Sequence, residues 1–269
     1  MAPTRCGNIE CRWGERTYVM GVLNLSPDSF SGDGLGGDME VIVARAKRLV
    51  AEGADIVDIG GESTRPGAPP IPANEELRRV IPAIERLASE LTVPISIDTY
   101  KSEVASRALK AGANMLNDVW GLKRDPKVAE VASQAGVPIV LVSNQRDGAT
   151  HYDIMAEVIS SLKKSISLAI EAGVTEPNII IDPGIGFGKS AEQNLEIIRR
   201  LTELKVLGRP ILLGTSRKFA TGQAPEQRLE ATSATIAIGI AHGADMVRVH
   251  DVRQMVRVCR MSDAIVRVR

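Results

Sequence analysis

The chain lacks an excess of either charge: 33 Lys plus Arg face 33 Asp plus Glu. No global field therefore draws it to nucleic acid or to an anionic membrane surface. Any anion it binds is held by local groups. No apolar run approaches the ~20 residues needed to span a bilayer, and the opening Met1-Ala2-Pro3-Thr4-Arg5 lacks the apolar core of a secretory signal. A cytoplasmic protein is expected, with neither nucleic acid nor membrane as partner. Cysteine is scarce and odd in number: Cys6, Cys11 and Cys259 form neither a paired framework nor a CxxC ligand set. Reduced, incidental thiols are expected. His151, His242 and His250 show no zinc-like spacing. There is also no linker and no low-complexity tract, so residues 1–269 are expected to form one domain, a length that α/β barrels of ~250 residues reach as single units.

What the chain does have is a repeated pattern of apolar runs that stop at a polar residue. VMGVLN ends at Asn24, ISID at Asp98, MLND at Asn117 and Asp118, IIID at Asp182, and MVRVH at His250. A β-strand buried along its whole length is continuously apolar, so polar groups placed repeatedly at the last position imply strand ends that meet around one pocket. Between these runs lie segments of helical period, beginning with MEVIVARAKRLVAEG, in which Val41, Ala44, Leu49 and Val50 form an apolar stripe. Eight strand–helix pairs result, the last strand of the set being DMVRVH. Gly53, Gly112, Gly136, Gly173 and Gly243 sit between a helix and the next strand, where a left-handed glycine closes a helix.

This alternation predicts a (β/α)8 TIM barrel, whose chemistry sits at the C-terminal ends of its strands. The front segment CGNIECRWGERTY reads as a β-hairpin covering the barrel bottom. GIGFGKS imitates the end of a phosphate-binding loop, but the first glycine of GxxxxGK followed by Ser or Thr falls at Pro183. Gly184, Gly186 and Gly188 also miss the dinucleotide spacing. The expected role of this segment is a tight loop carrying Asp182 and Phe187 to the pocket, with Lys189 solvated at a helix start.

VLNLSPDSF, DIGGESTRPG, SIDTYKSEVASRAL, NDVWG, DPGIGFGKS, GTSRK and RVHDV, in this order from about Tyr18 to Val252, resemble the dihydropteroate synthases of folate biosynthesis. The resemblance implies condensation of 6-hydroxymethyl-7,8-dihydropterin diphosphate with 4-aminobenzoate, releasing diphosphate. It implies that Asp98, Asn117, Asp182 and Lys218 read the pterin, a heterocycle whose alternating donors and acceptors suit buried carboxylates and amides. Thr64, Arg65, Arg248 and His250 then receive the diphosphate, with Asn24 binding a bridging Mg²⁺. Phe30, Pro66 and the stem of Lys218 contact the aminobenzoate ring, while Phe187 is brought with Asp182 to the pterin. Asp98, Asp182, Lys218 and Arg248 are the expected catalytic residues, stabilising a pterin cation and the departing anion without a protein nucleophile. A homodimer through outer helices, with Ile236, Ile238, Ile240 and Val256 at the contact, and a sulfonamide-binding site are also implied.

Two departures from the family stand out. The strand that ends in Met-His in the family reads Val142-Ser143 here, and Phe219 replaces the small or polar residue after the GTSRK string. The second is expected to alter the aminobenzoate and sulfonamide response, unless Thr221 supplies the hydroxyl. Two alternatives stay open: a methyltetrahydrofolate:corrinoid methyltransferase type of pterin-binding barrel, which needs no diphosphate cluster, and a non-catalytic pterin-binding barrel.

Overall fold

The computed structural model describes residues 1–25, 38–63, 67–148, 153–219 and 228–267. A short antiparallel hairpin opens the chain, β1 (Thr4–Cys6) with β2 (Ile9–Cys11). The apolar runs then become β3 (Tyr18–Asn24), β4 (Ile56–Gly60), β5 (Ile95–Asp98), β6 (Met115–Asp118), β7 (Ile139–Val142), β8 (Ile179–Asp182), β9 (Leu212–Leu213) and β10 (Met246–Val249). Each is followed by a helix: α1 (Met39–Ala51), α2 (Ala73–Ala88), α3 (Ser102–Ala111), α4 (Lys127–Ala135), α5 (Ile154–Glu171), α6 (Ala191–Arg199), α7 (Leu229–Ala241) and α8 (Val252–Val266).

All neighbours in the eight-stranded sheet are parallel, in the order β8-β7-β6-β5-β4-β3-β10-β9. A bridge between Ile181 and Ile211 joins its two ends, with the Ile181 N–H donating to the Pro210 carbonyl at 2.9 Å. The expected (β/α)8 barrel is therefore the observed architecture. Because side chains alternate along a strand, odd and even positions part company. Val57, Ile59, Ile95, Ile97, Leu116, Ile139 and Ile181 face the helices, where they pack on Val80, Ile84, Leu87, Val104 and Leu162. Met20, Ile56, Met115, Val140, Ile180, Leu212 and Met246 fill the barrel interior.

The hairpin closes that interior from below. Cys6, Cys11 and Trp13 are buried in the same cluster as the inward residues. Asn8 donates to the Thr92 carbonyl at 2.9 Å, Cys6 to Asn114 at 3.7 Å, and the Thr4 hydroxyl to Pro177. Thr92, Asn114 and Pro177 all precede strands, so these contacts lie at the N-terminal face. The thiols are packing groups: burial pushes Cys11 up to about 12 and raises Cys6 further, which leaves no reactive thiolate.

The helix boundaries follow local chemistry. Ser190 and Gln193 form a reciprocal capping box at α6, and Asp153 caps α5 through the Met155 and Ala156 N–H groups. Gly112 ends α3 at φ 118°, and a Cβ there would lie 2.5 Å from that of Ala88. One expected helix is shorter than its apolar period suggests. The stretch after Arg199 tightens into a 3₁₀ segment, Leu201–Leu207, because Leu201 and Leu204, three apart, are both buried on one side.

Candidate active site

The strand alternation that places Ile56 in the barrel interior places Asp58 and Gly60 on the same side, and likewise Asp98 above Ser96, Asn117 above Met115, Asp182 above Ile180 and Arg248 above Met246. Register brings them level: Gly60 pairs with Asp98, and Asp98 with Asn117. The lower layer is apolar and the upper one is polar. Arg248 binds two of these carboxylates at once, Nε donating to Asp58 Oδ2 at 2.6 Å and Nη2 to Asp98 Oδ2 at 2.7 Å. Asn117 Nδ2 donates to the same Asp58 oxygen at 3.2 Å. Asp58 Oδ1 and Asn117 Oδ1 are buried and have no partner, so they are acceptors available to a ligand's N–H groups.

Burial sets the protonation of this layer. It pushes Asp98 up to about 7, with Arg248 pulling the other way and the Asp58 charge adding to the rise. Asp182 is also raised by burial, against Lys218 and the Gly184 N–H, which donates to its Oδ1 at 2.6 Å. Burial alone would lower Arg248, but Asp58 and Asp98 more than offset it and hold the guanidinium charged.

Asn117, Asp182, Phe187, Ser216, Lys218, Arg248 and His250 line one pocket. The stem of Lys218 is exposed at its mouth, while Nζ reaches inward to the Ile185 carbonyl at 2.6 Å and lies 4.7 Å from the centre of the Phe187 ring. Burial of that ammonium lowers it to about 8, partly countered by Asp182. Arg146 lies over the same ring at 4.8 Å. His250 Nδ1 is 3.0 Å from Ser216 Oγ, and burial, with the charges of Arg217 and Arg248, lowers the imidazole to about 3. It is neutral at physiological pH. Asn24, at the end of β3, faces Asp98 across Gly60: a Cβ on Gly60 would stand 3.5 Å from Asn24 Oδ1 and 3.7 Å from Asp98 Oδ2.

One expectation needs correction. Lys189 is not solvated: its ammonium donates to the carbonyls of Ser143 at 2.7 Å, Gly184 at 2.9 Å and Phe187 at 3.4 Å, and burial lowers it to about 7. Gly184, at φ 72°, packs its backbone so closely on Ser143 that a Cβ would meet that carbonyl oxygen at 2.0 Å. The glycines that imitate a phosphate loop thus let the β8 loop lie against the end of β7, with Lys189 as the cation beneath it. Arg248, expected with the diphosphate group, is paired with Asp58 and Asp98.

Phe219 is half-buried against the helix-side core rather than lining the pocket. Ser143, at the family's histidine position, is fully buried and accepts from Gln145 Nε2 at 3.1 Å. Phe30, Thr64, Arg65, Pro66 and Thr221 lie outside the described residues. Of the helix residues expected at a dimer contact, Ile236, Ile240 and Val256 are buried and Ile238 is exposed.

Two site residues escape a reading of strand ends. Asp58 stands in the middle of an apolar run, and its signal is parity, two positions before the inward Gly60. Arg217, at φ 61°, makes a bidentate pair with Asp251 at 2.6 and 3.0 Å, which fixes the turn between Ser216 and Lys218. A larger cavity of about 470 Å³ lies outside the barrel between β3 and α8, lined by Arg16, Thr17, Asp55, Cys259 and Asp263. Within it Arg16 pairs with Asp55 and Thr17 donates to Asp263 at 2.7 Å.

Known proteins with this arrangement share the pocket's family. The pterin binding enzyme model matches residues 20–250. The dihydropteroate synthase of Bacillus subtilis (strain 168) is 50% identical over 255 residues, covering 93% of this chain and 89% of the relative. A Clostridium difficile dihydropteroate synthase, solved in the presence of pteroic acid, superposes with a TM-score of 0.91 at 51% identity, over 95% of this chain and 99% of that one. The Xanthomonas albilineans dihydropteroate synthase in complex with 7,8-dihydropteroate gives 0.89 at 38% identity, over the whole of both chains. The barrel, its polar upper layer and these relatives agree, and the chain belongs to the pterin binding enzyme family as one of its dihydropteroate synthases.

Proposed function

We propose that the pocket condenses 6-hydroxymethyl-7,8-dihydropterin diphosphate with 4-aminobenzoate by a dissociative displacement. The observation that supports this reading is that Asn117, Asp182, Lys218, Arg248 and His250 line one pocket, with Asp98 bonded to Arg248. Asp182 and Asn117 pair with the aminopyrimidinone edge and Lys218 with its carbonyl or ring nitrogen side. When the methylene C–O bond breaks, its electron pair leaves with the diphosphate and positive charge develops on the pterin. Asp98 and Asp182 lower the energy of that cation, and the fixed charges need no reorganisation as it forms. The arylamine nitrogen then forms the C–N bond and releases a proton.

His250 is neutral, so it recognises phosphate oxygens by hydrogen bonding and leaves charge compensation to Arg248 and Arg65, with Thr64 a further diphosphate ligand. Mg²⁺, when bound, neutralises charge on the diphosphate. Asn24 would hold it: its amide oxygen is a hard donor, and the glycine at position 60 leaves open the space a side chain would fill. Phe30, Pro66 and the Lys218 stem receive the aminobenzoate ring, and sulfonamides compete there, while Phe187 lies with Asn117 and Asp182 in the pterin pocket. A cytoplasmic homodimer completes the reading, with exposed Ile238 on α7 at the contact.

Incubation with the pterin diphosphate, 4-aminobenzoate and Mg²⁺ tests it. Dihydropteroate and diphosphate in equal amounts are expected. Pterin binding without product would favour a non-catalytic barrel, and methyl transfer from methyltetrahydrofolate would favour the corrinoid-linked type.

A further inference from the structure

Asp58 lies inside the barrel, fully buried, paired in register with Ser96. Its neighbours in the layer below, Ile56 and Met115, fill the interior without charge. Taking a carboxylate out of water is costly unless its partners are well placed, so an acid at this level needs a reason that packing does not supply. One oxygen, Oδ2, receives both Arg248 Nε at 2.6 Å and Asn117 Nδ2 at 3.2 Å. Those donors come from strands 190 and 59 residues away in sequence. Arg248 also reaches Asp98 at 2.7 Å. A guanidinium held by one carboxylate can pivot about it; held by two through different nitrogens, it is fixed in orientation.

We propose that Asp58 is a positioning residue for the reaction, fixing Arg248 and Asn117 together at the floor of the pocket. This rests on the function proposed above. Without Asp58, Arg248 is left to turn on Asp98 alone, and the Asn117 amide loses the acceptor that sets which end faces the ligand. Lys218, whose stem meets the aminobenzoate ring, is held by a separate bond to the Ile185 carbonyl, and that bond does not involve Asp58.

The test is Asp58→Asn, nearly the same in shape but uncharged. Loss of a charged hydrogen-bond partner is expected to lower kcat/KM for the pterin diphosphate by about 10- to 100-fold. The KM for 4-aminobenzoate is expected to stay within about threefold, because its pocket is built elsewhere. Combined with Arg248→Lys, the losses are expected to be less than additive, since both changes break the same contact. Additive losses, unchanged kcat/KM, or equal rises in both KM values accompanied by a lower melting temperature would show a merely structural carboxylate and overturn the proposal. If Asp58→Asn does not fold, Asp58→Glu retains the charge but displaces it; the same selective loss is expected, and unchanged kinetics would count against the idea. Wild-type protein that makes no dihydropteroate overturns the function itself and this inference with it, whereas an active wild type with an unaltered variant overturns the inference alone.

Discussion

Replacing Arg248 with Met removes one cation and leaves two buried carboxylates facing each other. Asp58 is 0% exposed and Asp98 6%, and both lose a bond of 2.6 to 2.7 Å. Breaking one partner out of a buried ion pair costs ~3–5 kcal/mol, and the similar bulk of Met keeps the cavity term small. With a urea m-value of ~3 kcal/mol/M, the midpoint should fall by about 1 to 1.7 M at pH 8. The deficit also has a signed pH dependence. Asp98 in the folded protein titrates near 7, above the ordinary carboxylate value of 3.8, so its contribution to stability is full below the unfolded value and declines as pH rises through the folded one. Arg248 opposes that decline, and removing it extends the decline to higher pH. The deficit of Arg248→Met should therefore be smallest near pH 5 and grow above pH 7. Urea unfolding at pH 5, 7 and 8.5 measures it. A midpoint within about 0.3 M of wild type at every pH, equivalent to ~1 kcal/mol, would refute the reasoning, because it would mean that the bridge carries no net energy.

Further predictions concern catalysis, Lys189 and Phe219. The pH profile of kcat/KM for the pterin diphosphate should be a narrow bell, rising as Asp98 ionises near 7 and falling as Lys218 loses its proton near 8; a flat profile from pH 6 to 9 would remove both from the rate. Lys189→Met should loosen the Gly184–Phe187 carbonyls and, through the Gly184 N–H on Asp182, raise the KM for the pterin diphosphate about tenfold, the equivalent of one charged hydrogen bond of ~1.4 kcal/mol. Steady-state kinetics should show the KM for 4-aminobenzoate changing far less, and equal changes would argue against a local effect. Phe219→Ser should leave sulfonamide inhibition within about threefold while costing ~1–3 kcal/mol of stability, since its ring packs on the helix-side core; inhibition constants and urea unfolding of the same variant separate the two effects.

Much of the site was legible because strand ends are local features. Asn24, Asp98, Asn117 and Asp182 each terminate an apolar run, and each stands at the C-terminal end of its strand in the barrel. Asp58 was not legible in that way, since it interrupts a run rather than ending it. Lys189 was misread because a lysine before a helix is usually solvated, and nothing within its own loop shows that three carbonyls converge on it. Phe219 was read by alignment with a family position, whereas its ring direction depends on packing behind the sheet.

The sequence by itself determined the barrel: the period of the apolar runs, their number, the glycines that close helices and the polar residues that follow strands are all written within short windows. Tertiary structure alone decided how the charges combine. Arg248 meets Asp58 across 190 residues, and His250 is neutral because it is buried beside Arg217 and Arg248. Local sequence fixes which residue stands at a strand end, but protonation and pairing depend on desolvation and on neighbours that only barrel closure brings within hydrogen-bonding distance.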